Sequence, residues 1–323
     1  MLTKFQNHIY SNFPFLQGSK LLLAVSGGLD SMVLLHLCYQ LKLDIRIAHC
    51  NFQLRDAESD EDENFVQLQA ERLQIPIYIQ KFDTQEFAKQ NKLSIQVVAR
   101  NLRYDWFNTL LATHHFDYIL TAHHLDDSLE TFLINFVRGS GLDGLTGIPP
   151  QNGNIIRTLL PFSRKEIETF ATEKTITWRE DSSNLSGKYV RNKLRLDVIP
   201  ILKELNLSLL TSFESTISNL QQSQSLINDA SQSVFKEVVL EDDTINIDIA
   251  KLKGFPNYEA YLYQWLQPFG FKAWNDIYAL VNAQSGKQVF SETHILLKNR
   301  NHLILFPKFR TLPINLIRSC SSP

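Results

Sequence analysis

Cysteine is scarce in this sequence of 323 residues: there are three, Cys38, Cys50 and Cys320, and no two form a C-x-x-C pair. An odd number without that spacing argues against a disulfide framework, a zinc ribbon and a redox dithiol, and points to a reducing, cytoplasmic setting. Glycine and proline are also few, 12 and 11 residues, which excludes collagen-like and low-complexity chains. No apolar run reaches the length of a signal-peptide core or a membrane span, so neither export nor membrane insertion is expected. An excess of one charge is missing too: 32 Lys and Arg stand against 34 Asp and Glu, a net charge of −2. Any nucleic-acid surface must then be a local patch. What remains is a globular chain, 44% hydrophobic, whose length allows two domains at roughly 150 residues each.

Short apolar runs at 20–25, 44–50, 75–81 and 117–122 alternate with helical patterns running to about 41, over 58–73, over 94–114 and over 126–138. Strands separated by helices of that length predict an α/β fold, a parallel sheet with helices on both faces. Its carboxyl edges fall at Ser26, Asn51, Phe82 and His123, the side on which such sheets bind ligands. After a stretch rich in Gly and Pro (139–153) come a strand-like IIRTLLPF, a helix from about Arg164, and a basic segment ending in a helix over 190–205. These read as an extension of the first domain. Phe213, Ile217, Leu220, Ile227, Val234 and Val238 then draw one helical stripe through a segment rich in Ser and Gln, as a connecting helix would. Strands near 244–249, 288–292 and 303–306 with helices near 258–266 and 274–281 make the remainder a small α+β unit. The expected domains are 1–208 and 209–323.

Residues 21–31 read LLLAVSGGLDS, a buried strand that turns through small residues into a helix. Two glycines let backbone approach a phosphate, the first N–H groups of the helix point at it, and Ser26 and Ser31 add hydroxyls. Asp30 is the odd member, because a carboxylate beside phosphates needs a cation or another positive partner. The loop has neither the lysine of a Walker A motif nor the third glycine of a Rossmann fingerprint. The blander reading, a Gly-Gly turn from strand to helix, does not explain both serines and Asp30.

Residues 121–131 read TAHHLDDSLET, just past the fourth strand. In a helix starting near Asp126, Asp127 and Glu130 lie on one face, close enough to grip one cation. Three readings stay open on residue types alone: capping carboxylates beside a solvated histidine pair, a metal site, or a pocket for an amino group. Capping accounts for Asp126 but not for Glu130.

SGGLDS matches the S-G-G-x-D-S signature of the PP-loop ATP pyrophosphatases, which cleave ATP to AMP and pyrophosphate. The string from Ala122 to Thr131, followed by Arg138, Gly139, Gly141, Leu142, Gly144 and Leu145, resembles the tRNA(Ile)-lysidine synthetase family. HCNFQLR at 49–55, ARNLRY at 99–104, EDSSN at 180–184 and RNKLR at 191–195 recur in the family's order, so the resemblance spans about residues 19–205. Phe52 stands where that family usually has a second histidine, and Gln96 where an acidic residue is often found. Longer members carry a further C-terminal domain, and this chain ends about where the smaller ones do.

The resemblance implies a PP-loop fold and ATP-dependent ligation of L-lysine to the wobble cytidine of the CAU anticodon of tRNA(Ile), through an adenylated base. It assigns Ser26, Gly27, Gly28, Leu29, Asp30 and Ser31 to ATP phosphates, with Arg191 near the nucleotide. His123, Arg100 and Asp30 would assist adenylation, with Asp30 on Mg2+, and Asp127 and Glu130 would hold the lysine. The residues agree on the last point, since an ammonium needs negative partners and a carboxylate can take its proton. Lys188, Lys193 and Arg195 belong to a basic strip over 187–203 that, with a second strip over 293–323, could carry RNA phosphates. The acidic run from Asp56 starts a helix or faces solvent. A homodimer is compatible with the sequence.

Other functions fit less well. A tRNA thiolase would need activated cysteines, and Cys38 and Cys50 sit in apolar elements. A glutamine-dependent ligase would need a glutaminase domain ahead of the loop. A nucleotide sensor would need the loop alone, and a metal hydrolase built on His123, His124, Asp126 and Asp127 would work without ATP.

Overall fold

The computed structural model describes residues 1–55, 57–180, 190–241 and 244–308, and the chain divides into two compact units, 1–220 and 221–323. The first is built on a six-stranded sheet of β1 (Leu21–Ala24), β2 (Ile45–Asn51), β3 (Ile77–Lys81), β4 (Tyr118–Leu120), β5 (Gln151–Asn152) and β6 (Ile155–Ile156). Their order is β3-β2-β1-β4-β6-β5, parallel except for the β5–β6 pair. Side chains alternate across β1, so Leu21 and Leu23 enter one core with Met32, Val66 and Phe170, while Leu22 enters another with Ala48, Phe107 and Ile119. That is why the strand is apolar throughout: helices cover both faces.

The chain winds from β1 outward to β2 and β3, then returns to place β4 on the other side of β1. The order of strands reverses between β1 and β4, and ligands of open parallel sheets bind in the crevice that this reversal opens at the carboxyl ends. Ser26 follows β1 there, and Thr121 to His124 follow β4. Topology therefore brings the two sequence motifs together.

Several elements differ from expectation. IIRTLLPF is a strand only over Ile155–Ile156; Arg157, Thr158, Leu159 and Phe162 then turn inward and are buried. The helix expected over 190–205 is α-helical over Val190–Lys193, π-helical over Leu194–Val198 and α-helical again over Ile199–Leu205. Pro200 explains the wide turn, since it lacks the N–H that an α-helical ladder would use.

The long helix Leu209–Val238 follows. Its first end packs Phe213 and Ile217 in the first unit against Leu125, Leu129 and Ile199. Its last turns pack Val234 and Val238 into the second unit's core. That unit is an antiparallel sheet of β7 (Val239–Glu241), β8 (Ile245–Asp248), β9 (Gln288–Phe290), β10 (His294–Asn299) and β11 (His302–Pro307), in the order β7-β8-β11-β10-β9. Among the described residues no helix is long and apolar enough to cross a membrane.

Candidate active site

The helix Leu29–Gln40 begins directly after the loop at residues 26–28, with Gly28 as N-cap and no capping side chain. Its first N–H groups are thus left for whatever enters the crevice. Gly27 is needed for two reasons: its φ is +92°, and a Cβ would stand 3.2 Å from Val66 Cγ2. The hydroxyls of Ser26 and Ser31 lie 3.2 Å apart, and Ser31 Oγ donates to the Gly28 carbonyl at 2.9 Å, which braces the turn. Leu29 is buried in the core, so it can offer a ligand only its backbone.

Asp30 has found a positive partner. Arg164 Nη1 donates to its Oδ2 at 2.6 Å, while its buried Oδ1 accepts no hydrogen bond. On the other flank, the backbone N–H of Arg179 donates to the Gly27 carbonyl at 3.0 Å, and the Arg179 side chain reaches Glu61 and Asp62. Asp62 also takes Arg55 at 2.7 Å, so part of the acidic run props the loop instead of facing solvent.

Past β4, His123 Nδ1 lies 3.0 Å from Thr121 Oγ1. Burial pushes the His123 imidazole down to about 4, helped by Arg157, Arg191 and His124 and opposed by Asp127, so it is neutral near pH 7. His124 is the N-cap of the helix Leu125–Val137, and the Asp127 carboxylate reaches back to accept its N–H at 3.1 Å. Capping therefore falls to Asp127. Asp126 instead accepts the backbone N–H of Arg164 at 2.8 Å and Lys203 Nζ at 2.9 Å.

Glu130 is 1% exposed and grips Arg195 with both oxygens, Nε at 2.6 Å and Nη2 at 3.1 Å. Arg191 Nε stands 3.4 Å from the same carboxylate, and Arg195 Nη2 lies 3.5 Å from Asp127. Asp127 and Glu130 do share one helix face, and the cation between them is the chain's own arginine. Burial raises the Glu130 carboxyl above its ordinary range, although Arg195 pulls the other way. Arg195, expected on a phosphate-carrying strip, is drawn inward because a buried carboxylate is costly without a cation. Lys203 of that strip is likewise committed to Asp126, Lys193 is exposed, and Lys188 lies outside the described residues.

Arg100 stacks its guanidinium 5.0 Å over the Tyr104 ring, and Tyr104 bonds the buried Arg157, whose charge acts on His123. Arg100 is thus joined to the site through two intermediaries. Sequence reasoning missed Arg164, Arg179, Arg157 and the enclosure of His124. Only Arg164 left a local trace, since it is the first helical residue inside a Ser163–Glu166 capping box.

Among the described residues no three His, Cys, Asp or Glu side chains are grouped to hold a metal ion, so the four residues of the hydrolase alternative make no such group. Burial raises the Cys38 thiol strongly and pushes Cys50 up to about 12, which leaves neither as an activated thiolate.

Fold and loop define a PP-loop protein, and a model of the PP-loop domain matches residues 1–202. A model of the TilS substrate binding domain matches residues 240–308. A tRNA(Ile)-lysidine synthase of Bacteroides thetaiotaomicron is 38% identical over 318 residues, covering 96% of this chain and 74% of the relative. That of Parabacteroides distasonis is 39% identical over 284 residues, covering 87% of this chain and 64% of the relative. The chain belongs to the tRNA(Ile)-lysidine synthase family. Among solved structures, the U34-tRNA thiolase NcsA from Methanococcus maripaludis shares the fold, with a TM-score of 0.54 at 16% identity over 67% of this chain and 78% of that one.

Proposed function

We propose that this chain is an ATP-dependent ligase that joins L-lysine to the wobble cytidine of the CAU anticodon of tRNA(Ile) in two steps, in the cytoplasm. The observation that carries this reading is the meeting of the two motifs: Asp30 Oδ1 and Asp127 Oδ2 both face His124 Nε2, at 3.7 and 3.4 Å. A nucleotide on the loop and an amine at the carboxylates then share one crevice, as adenylation followed by displacement requires.

In the first step the cytosine O2 attacks the α-phosphorus of ATP, an O–P bond forms, and pyrophosphate leaves. The uncapped N–H groups at the start of the helix Leu29–Gln40 and the hydroxyls of Ser26 and Ser31 hold the phosphates. Arg100 and Arg191 add positive charge, and the neutral His123 serves as a hydrogen-bond partner without adding a cation. The residues fit a magnesium ion that arrives with the triphosphate, because Asp30 Oδ1 is a buried acceptor without a partner and Mg2+ takes one or two carboxylates beside phosphate oxygens. Asp30 would hold it, and bound there it offsets the charge of the departing pyrophosphate.

In the second step the lysine amine attacks C2 and AMP leaves. Asp127 and Glu130 bind the ammonium and take up its proton, for which a carboxyl raised by burial is suited. Arg195 must yield that place. Lys188 and Lys193 contact the RNA. The test is to incubate the protein with tRNA(Ile) transcript and α-labelled ATP without lysine: pyrophosphate release and label on the RNA are expected. Pyrophosphate released equally without RNA would overturn the reading.

A further inference from the structure

His124 is 3% exposed, and three carboxylates from two segments surround its ring. Nε2 faces Asp30 Oδ1 of the glycine loop at 3.7 Å and Asp127 Oδ2 at 3.4 Å, while Nδ1 faces Asp126 Oδ2 at 3.9 Å. Each acid has its own cation: Arg164 on Asp30, Arg195 on Asp127, Lys203 on Asp126. Asp30 Oδ1 and His124 Nδ1 are both buried without a hydrogen-bond partner, so this cluster is unsatisfied as it stands. A fold that needed His124 only as a helix cap would not keep such a group enclosed among acids, because Asn or Ser caps a helix without one.

We propose that His124 is a positioning residue that couples the nucleotide loop to the lysine-holding carboxylates, so that ATP on the loop increases affinity for lysine. The chain of contacts runs Arg164–Asp30–His124–Asp127–Arg195–Glu130. Phosphates on the loop attract Arg164 and reorient Asp30. The imidazole follows Asp30 and takes Asp127 with it, and Arg195 loses one of its two acids. The pair is then open to an ammonium. Linkage makes the effect reciprocal, so lysine tightens ATP by the same factor. The inference rests on the lysine reading of Asp127 and Glu130.

The test is equilibrium dialysis of labelled lysine against the full chain with tRNA(Ile) transcript, with and without α,β-methylene ATP. Wild type is expected to bind lysine about tenfold more tightly with the analogue, within the usual range of such couplings. Two variants separate positioning from capping. His124→Gln carries an amide nitrogen to about the place of Nε2 and keeps the coupling. His124→Asn is the better helix cap, ends near Nδ1, and loses the coupling while still binding lysine. Equal coupling in both variants, or lysine binding in wild type that ignores the analogue, overturns the role of His124. Wild type that binds no lysine in either state overturns the lysine reading itself.

Discussion

His123 offers a quantitative handle on the site. Its folded value near 4 lies below the unfolded 6.5, so the folded state holds fewer protons than the unfolded chain between those values. The stability owed to the neutral ring is complete above pH 6.5 and is lost as the pH falls toward 4. Integrating the difference gives a loss of about 1.4 kcal/mol on going from pH 8 to pH 5.5. His123→Asn removes that loss and keeps a polar side chain beside Thr121. Urea unfolding of both proteins at the two pH values is the assay. His8, His36 and His49, which burial also lowers, are common to both proteins and cancel in the difference. Wild type is expected to lose about 1.4 kcal/mol more than the variant. Equal losses, or an NMR titration of His123 with a midpoint near 6.5, would refute the reasoning.

Other perturbations probe the rest of the site. Gly27→Ala forces an alanine to φ +92° and crowds Val66, which costs about 1–2 kcal/mol and weakens ATP binding, as denaturation and nucleotide titration would register. Arg195→Ala strips Glu130 of its bidentate partner; Arg195 is 37% exposed and Arg191 remains at 3.4 Å, so the cost is about 1–2 kcal/mol, below that of a fully buried pair. Adding Glu130→Gln to that variant should return part of it. Because burial raises Glu130, its contribution is most favourable at low pH and is lost as pH rises from 4.5 through the folded value; Glu130→Gln should abolish that slope. Cys50, pushed up to about 12, should resist alkylation at pH 8 in the folded protein and react in urea, as peptide mass spectrometry would reveal.

Much of this architecture is written locally. The run LLLAV before a small-residue turn is a buried strand because both its faces are covered, and four such runs gave the parallel sheet. The helices Leu2–Asn12 and Thr84–Asn91, which carry few apolar positions, go beyond the expectation, as does β10, whose Ile295, Leu296 and Leu297 break the alternation because Leu296 is buried in the unit's main core while Leu297 is buried on the opposite face with Ile304 and Phe306. The two motifs were legible as motifs, and the strand reversal that joins them follows from the order of β-α units. The pairings were not legible. Arg164 meets Asp30 across 134 positions, Arg195 meets Glu130 across 65, and no local spacing encodes such contacts. Composition suggested a basic strip for RNA; the fold spends Arg195 and Lys203 on buried acids.

The central claim is that the crevice between β1 and β4 joins lysine to RNA at the expense of ATP. Its most direct measurement is retention of labelled lysine on purified tRNA(Ile) after incubation with the protein, ATP and magnesium. ATP-dependent label on that RNA is expected, abolished by Asp127→Ala and by Glu130→Ala. Label that persists in both variants, or pyrophosphate and AMP released with tRNA while no lysine is retained, would contradict it.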